Sequence, residues 1–67
     1  MAFSFKPLWK MLIEKDLTKK AFMEMTGISK STVEKMNKGE YVSMEIIDRI
    51  CKYFHCEISD VVVFMEK

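Results

Sequence analysis

The chain contains 67 residues, 49% of them hydrophobic and 31% charged, with a formal net charge of +1. This length fits one domain, residues 1–67, with one small core, and the hydrophobic fraction excludes an intrinsically disordered chain. The two glycines and single proline favour helices over a barrel or sandwich, which needs many turn residues.

No apolar run approaches the roughly 20 residues that a helix needs to cross a bilayer. The N-terminal sequence MAFSFKP also lacks the charged-then-apolar order of a secretory signal. We therefore expect a cytoplasmic protein without a membrane partner. In that reducing compartment, Cys51 and Cys56 are expected to be free, partly buried thiols.

The charged residues are unevenly distributed along the chain. Residues 19–38 contain five lysines and two glutamates, a balance of +3, whereas residues 39–67 contain three basic and six acidic residues, a balance of −3. A basic middle and an acidic end suggest one surface for an anionic partner and a second surface for another contact. The alternative is that these charges simply cover solvated helix faces.

The first predicted helix runs from Pro7 to Lys15, and a proline suits the first turn because no helical hydrogen bond is lost there. Apolar residues at helical spacing define its inner face: Leu8, Met11 and Leu12, widened by Trp9 and Ile13. This pattern predicts that one side of the helix packs against a core.

The second predicted helix is Lys19–Thr26, with Thr18 as its N-cap. Gly27 ends it, since glycine takes the left-handed backbone conformation readily. The inner face of this helix is predicted to contain Ala21, Phe22 and Met25. Ile28, an apolar residue inside the turn, is expected to fill the angle between this helix and the next.

The third predicted helix runs from Lys30 to Lys38 and is capped by Ser29. Only Val33 and Met36 look apolar within it, so it is expected to bury little of its surface. Two helices of this size and spacing, residues 18–38, are typical of a helix-turn-helix motif. In that motif the second helix stays lightly buried because its outer face enters a major groove.

The fourth predicted helix, Met44–Phe54 with Ser43 as its N-cap, has the strongest amphipathic pattern in the chain: Ile46, Ile47, Ile50, Cys51 and Phe54 face inward. Ser59 is expected to cap a fifth, short helix through Val61. The valine-rich tail after it either extends that helix or forms a strand. We therefore expect an all-α fold, a compact bundle of five short helices.

These motifs resemble the Cro/phage-repressor (XRE) family of helix-turn-helix transcriptional regulators, and most of all its small, single-domain bacterial members. The similarity runs from about Leu8 to Val62 and includes the stretches LWKMLIEK, TKKAFMEMTGISKSTVEKMNKG and IIDRICKYFHCEISDV. The resemblance implies a lambda-repressor-like fold and sequence-specific binding of double-stranded DNA. It also implies that the recognition helix, residues 30–38, enters the major groove.

The resemblance further implies roles for individual residues. Lys30, Ser31 and Lys35 match positions that contact base edges in relatives. Phosphate contacts are expected from Thr18, Lys19, Ser29, Thr32, Asn37, Lys38 and Tyr41. The chain departs from its relatives at Met23, where they have a small alanine, and at Lys19, where they have glutamine. The larger Met23 side chain either shifts the angle between the two helices or points outward.

One recognition helix contacts only a short half-site on DNA. Specific binding therefore predicts a homodimer on a near-palindromic operator, with half-sites spaced about 34 Å apart. The expected dimer interface is the C-terminal segment: Val61, Val63, Phe64 and Met65. Apolar residues near the other end, Phe3 and Phe5, indicate either such an interface or termini that pack together.

Other classes of function have less support in the sequence. His55 is the one histidine, and no nucleophile has an implied histidine and carboxylate partner, so we expect no enzyme activity. Together with Cys51 and Cys56 it gives at most three ligands where structural zinc takes four, so no metal, cofactor or small-molecule ligand is expected. The alternative is a protein-interaction module or antitoxin with this fold and weak DNA binding, which the acidic C-terminal half favours.

Overall fold

The computed structural model describes residues 3–65, and within them the chain is mostly helical. Four α-helices occur in these residues: α1 (Lys6–Glu14), α2 (Lys19–Thr26), α3 (Lys30–Asn37) and α4 (Met44–Phe54). One turn of 3-10 helix follows at Ile58–Asp60. Two short strands, β1 (Phe3–Ser4) and β2 (Val63–Phe64), pair antiparallel, with Phe3 opposite Phe64 and Ser4 opposite Val63.

The starts of α2, α3 and α4 agree with the sequence because the predicted cap of each makes its hydrogen bond. The side-chain oxygens of Thr18, Ser29 and Ser43 each accept from the backbone N–H three residues later, at 3.0, 3.3 and 3.3 Å. These bonds satisfy N–H groups that have no partner inside the helix. The predicted starts of α2, α3 and α4 are therefore confirmed.

Two glycines end α2 and α3 as predicted. Gly27 has a φ of 75°, and its N–H donates to the carbonyl of Met23 at 2.9 Å. Gly39 has a φ of 73°, and the N–H of Glu40 after it donates back to the carbonyl of Lys35 at 2.9 Å. Both arrangements occupy carbonyls that the helix end leaves free, which requires a residue tolerant of positive φ.

The core lies where α1, α2, α3 and α4 meet, and every helix contributes two buried residues. Its buried hydrophobic members are Phe5, Leu8, Leu12, Phe22, Ile28, Val33, Met36, Ile47, Ile50 and Val61. Ile28, in the turn between α2 and α3, is only 3% exposed, which confirms that it fills the space between these helices. No helix in residues 3–65 is long and apolar enough to span a bilayer.

Two residues predicted to face inward do not. Ile13 on α1 is 74% exposed and Met25 on α2 is 40% exposed. On α2 the inner positions belong to Phe22 and Thr26, and the buried Thr26 hydroxyl donates to the Phe22 carbonyl at 2.7 Å. Met23, whose size departs from its relatives, is partly buried and packs against the core, so it does not point outward.

The predicted fifth α-helix is absent from the described residues, where a single 3-10 turn takes its place. Glu57, rather than Ser59, precedes this turn, and its N–H donates to the Asp60 carboxylate at 3.1 Å. The chain then becomes extended, because β-branched valines favour a strand and Val63 pairs with Ser4. The all-α prediction is therefore wrong in detail: in the described residues a small sheet pairs Phe3–Ser4 with Val63–Phe64.

The C-terminal half of the chain contains two cysteines. Cys51 and Cys56 are both free and partly buried, as expected. Burial raises the pKa of the Cys56 thiol, and the neighbouring Cys51 adds to this shift. The thiol of Cys56 is consequently protonated and weakly nucleophilic at neutral pH.

Candidate nucleic-acid interface

The third helix buries very little of its surface. Val33 and Met36, three residues apart, are its buried residues, at 4% and 1% exposure. At about 100° per residue, most of its other side chains lie within an arc of roughly 140° on the opposite side. That exposed arc contains Lys30, Ser31, Glu34, Lys35 and Lys38. The helix therefore presents a polar, cation-rich face to solvent.

The N-terminus of α3 carries a group of hydroxyls. The Oγ of Ser29 lies 3.1 Å from the Oγ of Ser31 and 3.0 Å from the Oγ1 of Thr32. Ser29 and Ser31 are exposed, whereas Thr32 is partly buried. Together with the first N–H groups of the helix, these hydroxyls offer hydrogen-bond donors at its positive end, an arrangement that suits an anionic oxygen.

The structure joins two predicted phosphate-contacting residues that lie 18 positions apart. The Nζ of Lys19, at the start of α2, donates to the Oδ1 of Asn37, at the end of α3, over 2.8 Å. The same ammonium lies 4.5 Å from the centre of the Trp9 ring. Thr18 is exposed immediately before Lys19 and caps α2. The start of α2 and the end of α3 thus form one continuous surface.

Tyr41 follows α3 in the chain and is 76% exposed. Its ring packs edge-to-face on Phe3 of β1, with ring centres 5.8 Å apart, and Phe3 packs in turn on Phe64 of β2 at 5.7 Å. Tyr41 is therefore attached to the sheet rather than to the side chains of α3. Its phosphate contact remains a prediction.

The lysines of α2 and α3 are available for an anionic partner. In residues 3–65 the structure contains one ion pair, Lys52 with Asp48 on α4, at 3.2 Å. The five lysines of residues 19–38 are all exposed, and none has a carboxylate within 4.0 Å in this part of the chain: Lys19, Lys20, Lys30, Lys35 and Lys38. The basic balance of residues 19–38 is therefore displayed on the surface.

Sequence reasoning missed two residues of this surface. Glu34 lies in the middle of the exposed arc of α3, and the four-residue spacing from Lys30 and to Lys38 could have indicated this. Trp9 was interpreted only as a core residue of α1, yet it also supports the ammonium of Lys19. No local signal reveals that contact, because it depends on how α1 and α2 pack.

One residue of the predicted dimer interface is buried in the core. Val61 is fully buried in the core, so its inclusion in the interface was wrong. Val63 and Phe64 of β2 and Met65 after it are 38%, 67% and 45% exposed and remain available for a contact. Beside them lies an apolar groove lined in part by Tyr41, Met44 and Ile58, all of them exposed.

Comparison with known proteins gives one family match and one structural match. The model of the Cro/C1-type HTH DNA-binding domain family matches residues 7–67. A crystal structure of the transcriptional regulator VanUg, Form II, is 36% identical and aligns with a TM-score of 0.92, covering 98% of this chain and 88% of that chain. A search of curated proteins gives no match.

Proposed function

Because the chain belongs to the Cro/C1-type helix-turn-helix family of DNA-binding domains, we propose that it is a transcriptional regulator that inserts α3 into the major groove of an operator. Its similarity to a solved transcriptional regulator over nearly its whole length supports this assignment. A major groove about 12 Å wide accommodates one α-helix together with its side chains.

The observation that carries this proposal is the small buried surface of α3. Only Val33 and Met36 fix the helix to the core, and its opposite face is exposed and rich in lysine. The other three helices also bury two residues each, but they pack further, partly buried apolar side chains against the core, such as Met23 on α2 and Phe54 on α4, and α3 has none. The exposed face is explained if a second, anionic surface covers it.

Base contacts in this proposal come from Lys30, Ser31 and Lys35. The lysine ammonium groups donate to the O6 and N7 acceptors of guanine, and the serine hydroxyl donates or accepts and is therefore permissive. All three side chains are exposed on the same arc of α3. Glu34 lies between them and can accept from the N4 amino group of cytosine.

Phosphate contacts flank this face in the proposal and fix the position of α3 in the groove. They come from the start of α2, the start of α3, and the end of α3 with the loop after it. The residues are Thr18, Lys19, Ser29, Thr32, Asn37, Lys38 and Tyr41. Six of these seven side chains are exposed, Thr32 being partly buried, which supports their assignment.

A homodimer completes the proposal, since one α3 covers only a half-site. The exposed apolar residues Val63 and Phe64 of β2, with Met65 after them, are the proposed contact between the two copies. Aromatic and apolar side chains of this kind are enriched in the centre of protein interfaces. Two-fold symmetry then places one recognition helix from each copy on the same side of the DNA.

Selection from DNA tests the function directly. Purified protein would be incubated with random-sequence and genomic duplex fragments at about 50 mM and about 200 mM salt, and the retained fragments sequenced. We expect a two-fold symmetric motif, with retention falling steeply as salt rises because phosphate contacts release counterions. Weak retention without sequence enrichment would contradict the proposal and favour the protein-interaction alternative.

A further inference from the structure

We propose that Trp9, Lys19 and Asn37 form a preorganised clamp for a single phosphate of the DNA backbone, in which Trp9 is the positioning residue. The clamp rests on the proposed function and deepens it. Its members come from α1, α2 and α3, and they meet through the 2.8 Å hydrogen bond of Lys19 to Asn37 and the 4.5 Å contact of Lys19 with the Trp9 ring.

The chemistry of the Lys19–Asn37 pair fixes which groups are left for a ligand. An ammonium has three N–H donors and no acceptor, so the carbonyl oxygen of the Asn37 amide must face it. The NH₂ group of that amide is consequently turned away from Lys19. One N–H of Lys19 is used by Asn37, which leaves two N–H groups of the exposed Lys19 and the NH₂ of the exposed Asn37 for a ligand. Two adjacent donors, one of them charged, match the non-bridging oxygens of one phosphate.

Trp9 holds the cation in this position. Its ring packs edge-to-face on the fully buried Phe22, with ring centres 6.3 Å apart and planes at 85°. The indole is therefore part of the core on one side and faces the Lys19 ammonium on the other. A long lysine side chain normally loses rotamer freedom when it binds a phosphate. Here the cation–π contact restricts Lys19 before DNA arrives, so less freedom is lost on binding.

The surroundings of the clamp suit a nucleic-acid backbone. Trp9 and Asn37 line an open groove between the start of α1 and the end of α3, and Lys6 and Lys38 line the same groove. Lys19 is also the first residue of α2, where the helix dipole favours an anion. A phosphate on the clamp would therefore be held by positive charge on both sides, next to the end of the recognition helix.

A set of substitutions tests the clamp through the binding of DNA. The probe is a fluorescein-labelled duplex of about 20–25 base pairs that carries the motif recovered by selection, long enough for two half-sites. Affinity would be measured at several salt concentrations for the wild type, W9L, K19A, N37A and the doubles W9L/K19A and N37A/K19A. Leucine at position 9 keeps apolar bulk against Phe22 but has no π-face for Lys19.

If Trp9, Lys19 and Asn37 act on the same phosphate, the effects of their substitutions on DNA affinity should not simply add. W9L is expected to weaken binding about two- to fivefold per protomer, the range of an exposed cation–π contact. K19A is expected to weaken it and to lower the slope of log affinity against log salt by about 0.9 per protomer, the value for one lost phosphate contact. In the K19A background, W9L is not expected to weaken binding further, because Trp9 acts through Lys19. N37A is expected to weaken binding less in that background than in the wild type, because its amide then acts without the neighbouring cation.

Losses of DNA affinity that are independent of Lys19 would overturn the clamp. If W9L or N37A weakens binding equally with and without Lys19, or if W9L binds like the wild type, then Trp9 does not position Lys19 for DNA. K10A is the matched control, since it removes one lysine from α1 that lines a different groove, beside Met11 and Glu14, and should leave the slope unchanged. Circular dichroism and thermal melting of every variant separate a folding defect from a binding defect. A wild type that fails to bind any duplex would overturn the proposed function itself.

Discussion

At the scale of single residues, the turn between α2 and α3 depends on Gly27. Its φ of 75° lies in the left-handed region, which costs an L-residue with a side chain about 1–2 kcal/mol. A Cβ at this position would have no heavy atom within 4 Å apart from those of residue 27 itself and its two neighbours in the chain. Backbone strain, rather than a steric clash, is therefore the reason that glycine is required here.

Substitution of Gly27 by alanine should reveal this strain in isolation. We expect the free energy of unfolding to fall by about 1 kcal/mol, which lowers the melting temperature of a domain of this size by roughly 4–8 °C. Gly27→Asn should lose less, since asparagine tolerates the left-handed region better than alanine. Thermal and urea unfolding measure both variants. An alanine variant as stable as the wild type would show that the turn carries no such strain.

The features of single residues that are predictable from the sequence are those set locally. Gly27, Ser29 and Ile28 each act within a few residues of the chain, and each has the conformation or burial expected of it. Exposure of Ile13 was not predictable in the same way, because helical spacing defines an apolar face without saying how wide the core is at its edge. The Lys19–Asn37 bond also escaped prediction, since it depends on the packing of α2 against α3.

At the scale of the helices, the N-terminus of α3 combines a structural role with a proposed binding role. The Ser29 hydroxyl accepts from the N–H of Thr32, which caps the helix, and the same exposed end is proposed to face a phosphate. A cap needs only an acceptor oxygen, whereas a phosphate is attracted by donors and repelled by negative charge. Two substitutions at this one position therefore separate the roles.

Ser29→Ala removes the cap and should lower the free energy of unfolding by about 1 kcal/mol. Ser29→Asp should keep the stability of the wild type, since aspartate is as good a cap as serine. The same aspartate should weaken DNA binding markedly, because its charge faces the proposed phosphate. Chemical unfolding and DNA titration of both variants give the two readouts. If S29D binds DNA as tightly as the wild type, the start of α3 is not beside a phosphate.

The end of the chain shows where prediction at the helix scale fails. A hydroxyl cap followed by apolar residues predicted a helix after Ser59, but valine at positions 61–63 opposes a helix and a pairing strand is available at Phe3–Ser4. That partner is about 60 residues away in the chain, so no local pattern identifies it. The contact also explains the apolar residues at both ends, which the sequence left open between termini packed together and a dimer interface.

At the scale of the whole molecule, an exposed apolar patch lies on the sheet side, at Val63, Phe64 and Met65. Phe64 is 67% exposed on β2 and contributes to the proposed contact between two copies. The lysines of α2 and α3 lie outside this patch, so one surface is left for DNA and another for the second copy. This division agrees with the separation of basic and acidic residues in the sequence.

Phe64→Ser tests the dimer. We expect this variant to sediment as a monomer at protein concentrations where the wild type is dimeric, and to bind the full operator more weakly, because the two half-sites are no longer linked. Ile13→Ser is the matched control, since Ile13 is 74% exposed on α1 and has no proposed partner. Analytical ultracentrifugation compares the three proteins. Equal dimerisation of F64S and the wild type would remove β2 from the interface.

The central claim, that α3 contacts the bases of an operator, is tested most directly by titrating the selected duplex with the double variant K30A/K35A. The control, K10A/K52A, removes the same two charges from α1 and α4, away from the proposed interface. With each base contact contributing about 1–3 kcal/mol, K30A/K35A should bind at least about 30-fold more weakly while its circular dichroism is unchanged. The control should retain nearly all of the affinity. Equal binding by the two folded variants would contradict the assignment of α3 as the recognition helix.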